Sequence, residues 1–137
     1  MLVVIYTSAL EVLLLERADA PGFWQSVTGS CERMEEPLES TAQREVMEET
    51  GLDTRQFELT NWHHHQDYTI YPRWRHRYAP GVTHNREHVF GLRLPHPMPI
   101  TLSAREHLRW RWLPWQEAAD ACFSSTNREA ILTLPTR

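Results

Sequence analysis

Apolar and polar positions divide the chain into short runs. Residues 2–6 (LVVIY) and 11–16 (EVLLLE) are β-branched or apolar stretches on either side of a polar bend at Thr7-Ser8, the pattern of a β-hairpin. Pro21-Gly22 marks a turn, and Phe23 to Thr28 is a short strand entering the loop that starts at Gly29. The period then changes. Leu38, Ala42 and Val46 recur every four residues, Pro37 suits a first helical turn, and Gly51 follows the last, so a helix is expected over 37–50.

Residues 57–70, 73–78 and 87–94 have strand character, with turns at Tyr71-Pro72 and Pro80-Gly81. In a strand over 73–78 the three arginines Arg73, Arg75 and Arg77 share one face. Residues 109–113 (RWRWL) alternate in the same way, and Trp24, Trp110 and Trp112 are expected in the core. PWQEAADACF and STNREAILTL supply one or two closing helices. Strands, a central helix, more strands and a terminal helix predict a mixed α/β (α+β) domain occupying residues 1–137, with a mixed β-sheet packed between helices. A length of 137 residues with 41% hydrophobic content matches one core.

Composition narrows the function classes. A net charge of −4 argues against a general nucleic-acid polymer or membrane-surface binder, and no apolar run reaches the ~18 residues of a membrane span. The opening MLVVIY lacks the flanks of a signal peptide, and Cys31 and Cys122 suit two unrelated thiols in a reducing compartment, so a cytoplasmic location is expected. No obligatory protein partner is evident. The charge is also unevenly placed. Eight of the eighteen acids fall between Glu32 and Asp53, whereas six of the eight histidines and four arginines fall between His63 and His88. One segment can collect cations while another can meet an anion. The run His63-His64-His65 cannot turn three rings toward one ion from a strand, and a loop or strand edge is expected for it.

Chemistry concentrates in Gly29 to Leu52, GSCERMEEPLESTAQREVMEETGL. On a helix Glu45 and Glu49 lie one turn apart on a shared face, with Glu48 beside them. Like charges so placed repel, but Mg²⁺ seeks one or two carboxylates together with waters and substrate phosphates. The plainer reading is an exposed acidic helix with Arg44 and Glu48 as an i,i+4 ion pair.

The segment Arg44-Glu45-Val46-Met47-Glu48-Glu49-Thr50-Gly51-Leu52 resembles the Nudix family signature. That signature runs Gly, five residues, Glu, seven residues, then Arg-Glu-apolar-x-Glu-Glu-x-Gly-apolar, and its second half is matched at every specified position. Its first half carries one extra residue. Gly29 plus five residues leads to Glu35, whereas counting back from Arg44 leads to Glu36, so either fills the family's first glutamate.

The resemblance extends to Phe23–Gly29, His76–Asn85, Glu106-His107-Leu108 and Ser124 with Asn127-Arg128, and is similar there to the branch of the family that hydrolyses dihydroneopterin triphosphate. It implies a Nudix fold and a Mg²⁺-dependent enzyme, with Mn²⁺ able to serve, releasing pyrophosphate from a small-molecule triphosphate. Metal ligands are implied at Glu45, Glu49 and Glu106, and catalytic roles at Glu48, Glu49, Glu106 and Arg44. Substrate contacts are implied at Arg17, Thr28, Tyr68, Thr69, Ile70, Tyr71 and Ser124. Alternative activities are a general nucleoside triphosphate pyrophosphohydrolase such as one for dATP, or a Nudix-fold binding module. Family members carry an added N-terminal basic segment, so either a start placed too late or one missing phosphate contact is expected here.

Overall fold

A computed structural model describes residues 1–29, 36–77, 80–81 and 84–137, apart from the side chains of Tyr68, Arg77, His84 and Asn85. Glu35 and Cys31 lie outside the described residues, as do Tyr78, Ala79, Val82 and Thr83 of the second matching stretch. Among the described residues, seven strands form one sheet: β1 (Leu2–Thr7), β2 (Glu11–Arg17), β3 (Trp24–Gln25), β4 (Val27–Thr28), β5 (Glu58–Thr69), β6 (His84–Leu94) and β7 (His107–Pro114). The order β3-β2-β1-β6-β5 carries β4 on β1 and β7 on β2. Only the β1–β6 pair among these is parallel, in register from Leu2↔Val89 to Thr7↔Leu94. Helices α1 (Leu38–Thr50), α2 (Trp115–Ala121) and α3 (Ser125–Leu132) complete the α+β architecture.

The two opening runs are unbroken apolar stretches because the sheet is covered on both faces. Val3, Ile5, Leu13 and Leu15 join Ala42 and Val46 of α1 in one core layer. Their neighbours Leu2, Val4, Val12 and Leu14 join Ala118, Ala119, Ala130 and Ile131 of α2 and α3 in the other. Helix α1 starts after Pro37 and ends on Gly51, whose φ of 74° is the left-handed conformation that a Cβ disfavours.

Two expectations fail. Residues 72–77 form a 3₁₀ helix, not a strand, so strand alternation does not bring Arg73 and Arg75 to one face. Pro72 sets a helical φ at its start, and Trp74 N–H closes a tight turn onto the Tyr71 carbonyl at 2.9 Å. Arg73 instead lies 5.3 Å from the Phe23 ring centroid, and Arg75 Nε donates to the Ile70 carbonyl at 3.1 Å. Trp110 is 38% exposed because β7 is an outer strand, whereas Trp112 packs against the α1-side core and Trp24 is buried in the other. The three histidines lie exposed on β5, at the sheet edge, where Asn61 Oδ1 accepts from His63 N–H at a bulge.

Helix α3 is tied to the bend between β3 and β4 by a buried side chain. Asn127 Oδ1 accepts from Ser26 N–H at 2.8 Å and its Nδ2 donates to Ser26 Oγ at 3.0 Å. Asn127→Ala leaves both Ser26 groups unsatisfied and is expected to lower unfolding stability by about 2 kcal/mol, read from the urea midpoint at unchanged slope. A change below ~0.5 kcal/mol, the range of an ordinary surface substitution, contradicts that role.

Candidate active site

Helix α1 turns Ala42 and Val46 into the core and brings Glu45 and Glu49 to the end of the sheet. Glu49 is 2% exposed, its backbone neighbour being the Thr28 N–H that donates to its carboxylate. A Cβ on Gly29 would collide with the Glu45 side chain, so a glycine at this point lets that carboxylate pass beneath the loop. Arg44 fixes the same turn from the other side. Its NH1 donates to Glu45 at 2.8 Å, and its NH2 and Nε donate to Glu36 at 3.0 and 3.3 Å. Glu36 also accepts from the Thr41 hydroxyl at 2.6 Å. Glu36 is thus anchored to the helix, while Glu48 points outward, 48% exposed, 3.6 Å from Arg44.

Burial dominates the electrostatics. It pushes the Glu49 carboxyl up to about 10, helped by its hydrogen bond to Glu45 and the charges of Glu45 and Glu106, and opposed by the Thr28 N–H. Burial also raises Glu45, against the hydrogen bond from Glu49 and the Arg44 guanidinium. The pair therefore retains a proton at neutral pH. Among the described residues, Glu49 Oε1 and His107 Nδ1 are buried polar atoms with no hydrogen-bond partner, and His107 Nε2 lies 3.6 Å from Glu49 Oε1. Donor atoms of Glu49, Glu106 and His107 all fall within 4.8 Å of one another. Anionic oxygens in excess, one buried and unsatisfied, fit a divalent cation. His107 is buried, and burial lowers its pKa to about 4, keeping it neutral and able to offer a nitrogen.

These residues open into a cavity of about 880 Å³. It also takes in Arg17, Thr28, Thr69, Ile70, Tyr71 and Ser124, so the candidate substrate contacts converge except for Tyr68, whose side chain is outside the description. Glu48 and Arg44 are not among its lining residues. Arg17 is held by Asp19 at 2.8 and 2.9 Å and by Gln25 at 3.1 Å, and its guanidinium sits 4.1 Å from the Trp74 ring centroid. Phe23, Tyr71, Trp74 and Phe123 pack together with centroid separations of 4.9–6.2 Å. Ser124 caps α3, accepting from Asn127 N–H. Sequence reasoning passed over Gln25, Glu87, His107 and Phe123, since isolated residues in different elements have no mutual spacing to reveal them. His107 alone stood beside a candidate, Glu106. Cys122 has no part here, its thiol pushed up to about 12 by burial.

A family model for the NUDIX domain matches residues 1–134. The chain belongs to the Nudix family. Among Nudix relatives, the dihydroneopterin triphosphate diphosphatase of Escherichia coli K12 is 45% identical over 133 residues, covering 95% of this chain and 87% of the relative. That of Haemophilus influenzae is 41% identical, covering 95% and 82%. The solved structure of the E. coli dihydroneopterin triphosphate pyrophosphohydrolase superposes with a TM-score of 0.89 at 44% identity, covering 95% of this chain and 89% of that one. The Nudix signature glutamates Glu45 and Glu49 are the buried pair at the cavity wall.

A raised carboxyl pKa makes the metal-free fold pH-dependent. Below about 4.5 both folded and unfolded chains hold the Glu49 proton; above it the unfolded chain ionises first, so stability falls as pH rises toward about 10. Glu49→Gln is therefore expected to raise the melting temperature of the metal-free protein at pH 8 by about 5 °C, the shift that ~1 kcal/mol produces in a domain of this size, with no gain at pH 4. Scanning calorimetry in chelator at both pH values measures this. A loss of stability at pH 8 contradicts the assigned electrostatics.

Proposed function

We propose that this chain hydrolyses dihydroneopterin triphosphate to dihydroneopterin monophosphate and pyrophosphate in a Mg²⁺-dependent reaction, with Mn²⁺ able to substitute. The observation that carries this reading is identity of 45% to diphosphatases of that substrate along 95% of the chain. The cavity supports it. Carboxylates for a cation line one part of it, while Tyr71, Trp74 and Phe123 give another part an aromatic wall against which a flat ring can pack.

In this reading Glu45, Glu49 and Glu106 hold the cation, with His107 adjoining. Bound there, a divalent cation neutralises phosphate charge and acidifies water. The chain's own residues do the rest. Arg44 holds Glu45 in place through its 2.8 Å bond and is a positioning residue. Water adds across the α–β phosphoanhydride bond, which breaks to give the monophosphate and pyrophosphate. Glu106 takes the proton of the attacking water; it lines the cavity and is exposed there, which favours it over Glu48. Arg17 offers planar donors to the phosphate oxygens, and Thr28 and Ser124 offer hydroxyls. Thr69, Ile70, Tyr71 and Tyr68 form the strand end that passes the substrate. Among the described residues no helix is long and apolar enough to cross a membrane.

Steady-state assays with Mg²⁺ on dihydroneopterin triphosphate, dATP and the other nucleotides test the proposal. Pyrophosphate is the expected product, with kcat/KM on the pterin at least tenfold above that on dATP. Orthophosphate as main product, an equal or higher kcat/KM on a nucleotide, or tight binding without turnover each overturns it.

A further inference from the structure

Glu87 lines the cavity far from the signature in sequence, and the mechanism above does not use it. Its carboxylate is 7% exposed. Among the described residues, the hydrogen bond it accepts is a long one, 3.4 Å from Gln66 Nε2, whose shorter bond of 3.1 Å goes to the Thr126 carbonyl. Burial holds its carboxyl above the ordinary range, against the hydrogen bond from Gln66. A buried carboxylate with so few donors is costly in the free protein, and the cost falls when a ligand brings N–H groups.

Its place in the fold says which part of a ligand it meets. Val89, two residues along β6, belongs to the core layer under α2 and α3, so strand alternation puts Glu87 on that face, opposite the layer of α1 that presents Glu45 and Glu49. The cavity reaches both faces around the end of the sheet. Gln66 links Glu87 to Thr126 at the start of α3, next to Ser124 and the Phe123 ring. Glu87 therefore borders the aromatic part of the cavity and not the carboxylate cluster.

Resting on the proposed pterin substrate, we infer that Glu87 is a specificity-determining residue, its two carboxylate oxygens accepting from the N3–H and 2-amino groups of the dihydropterin ring. Two parallel acceptors match two parallel donors, the arrangement of a bidentate pair. Adenine presents a 6-amino donor beside the N1 acceptor, so one carboxylate oxygen would face a lone pair. Gln66 orients the carboxylate through its contact at Oε1.

The test compares kcat/KM for dihydroneopterin triphosphate and dATP in wild type, Glu87→Gln and Glu87→Ala, each checked by thermal melting. In both variants the pterin-to-adenine ratio of kcat/KM is expected to fall about 10–100-fold, the discrimination that one bidentate pair supplies, mostly through KM. A second arm needs no variant: a dihydropterin triphosphate without the 2-amino group is expected to lose at least tenfold on the wild-type enzyme. An unchanged ratio with wild type still preferring the pterin, an equal loss on both substrates, or full activity on the 2-deamino analogue overturns the role of Glu87 and leaves the pterin assignment standing. Failure of wild type to turn over dihydroneopterin triphosphate overturns both.

Discussion

Glu45 and Glu49, one turn apart on α1 and hydrogen bonded to each other, impose the constraint around which the rest of the site is arranged. Glu49 is almost wholly buried, its Oε1 without a partner among the described residues, and its carboxyl is held far above the usual range by burial first and by neighbouring carboxylates second. A helix designed for stability alone would not place these groups here, because a buried carboxylate that keeps its proton contributes nothing to solvation and little to packing. The surroundings are shaped to hold the pair. Gly29 leaves room for Glu45, Thr28 donates its N–H to Glu49, and Arg44 ties Glu45 to Glu36.

The sheet converts this local arrangement into a substrate site. Covered on both faces, it places α1 against one layer and α2 with α3 against the other, and the cavity opens where the sheet ends between them. The paired carboxylates Glu45 and Glu49 come from the α1 face. The aromatic wall comes from the segment after β5 and from Phe123 before α3, and Glu87 comes from β6 on the α3 face, where Asn127 locks the helix to the β3–β4 bend. A triphosphate carrying a flat ring has both chemistries along one molecule, and this cavity is lined by both carboxylates and aromatic rings.

Much of this was legible in the sequence because it is local. The spacing of Leu38, Ala42 and Val46 and the glycine at 51 define α1, and Arg44 to Leu52 gives the glutamates fixed places on it. The strands followed from apolar runs and turn residues. RWRHR misled because strand alternation and a 3₁₀ helix starting at Pro72 accommodate the same letters, and what decides is Trp74 packing into the Phe23–Phe123 cluster. Trp110 misled because alternation identifies a face but not whether anything covers it. Glu87 was missed, and His107 went without a role although it stands in the matching Glu106-His107-Leu108 step, for a further reason. Each is defined by what β-sheet pairing places opposite it, Arg17 for His107 and Gln66 for Glu87, partners at sequence separations of 90 and 21 residues by subtraction of residue numbers. Such pairings have no signature in a single chain. The choice between Glu35 and Glu36 shows the same division: Glu36 takes the Arg44 contact, whereas Glu35 is outside the described residues.

A Glu45–Glu49 pair that shares a proton in the metal-free protein must give that proton up to a divalent cation bound there. Isothermal titration of Mg²⁺ or Mn²⁺ into the metal-free protein at pH 7, repeated in buffers of different ionisation enthalpy, counts the protons released on binding. About one proton per bound cation is the predicted result, disappearing in Glu49→Gln. Binding heats that do not depend on the buffer would mean that the pair is already ionised, and would contradict the account.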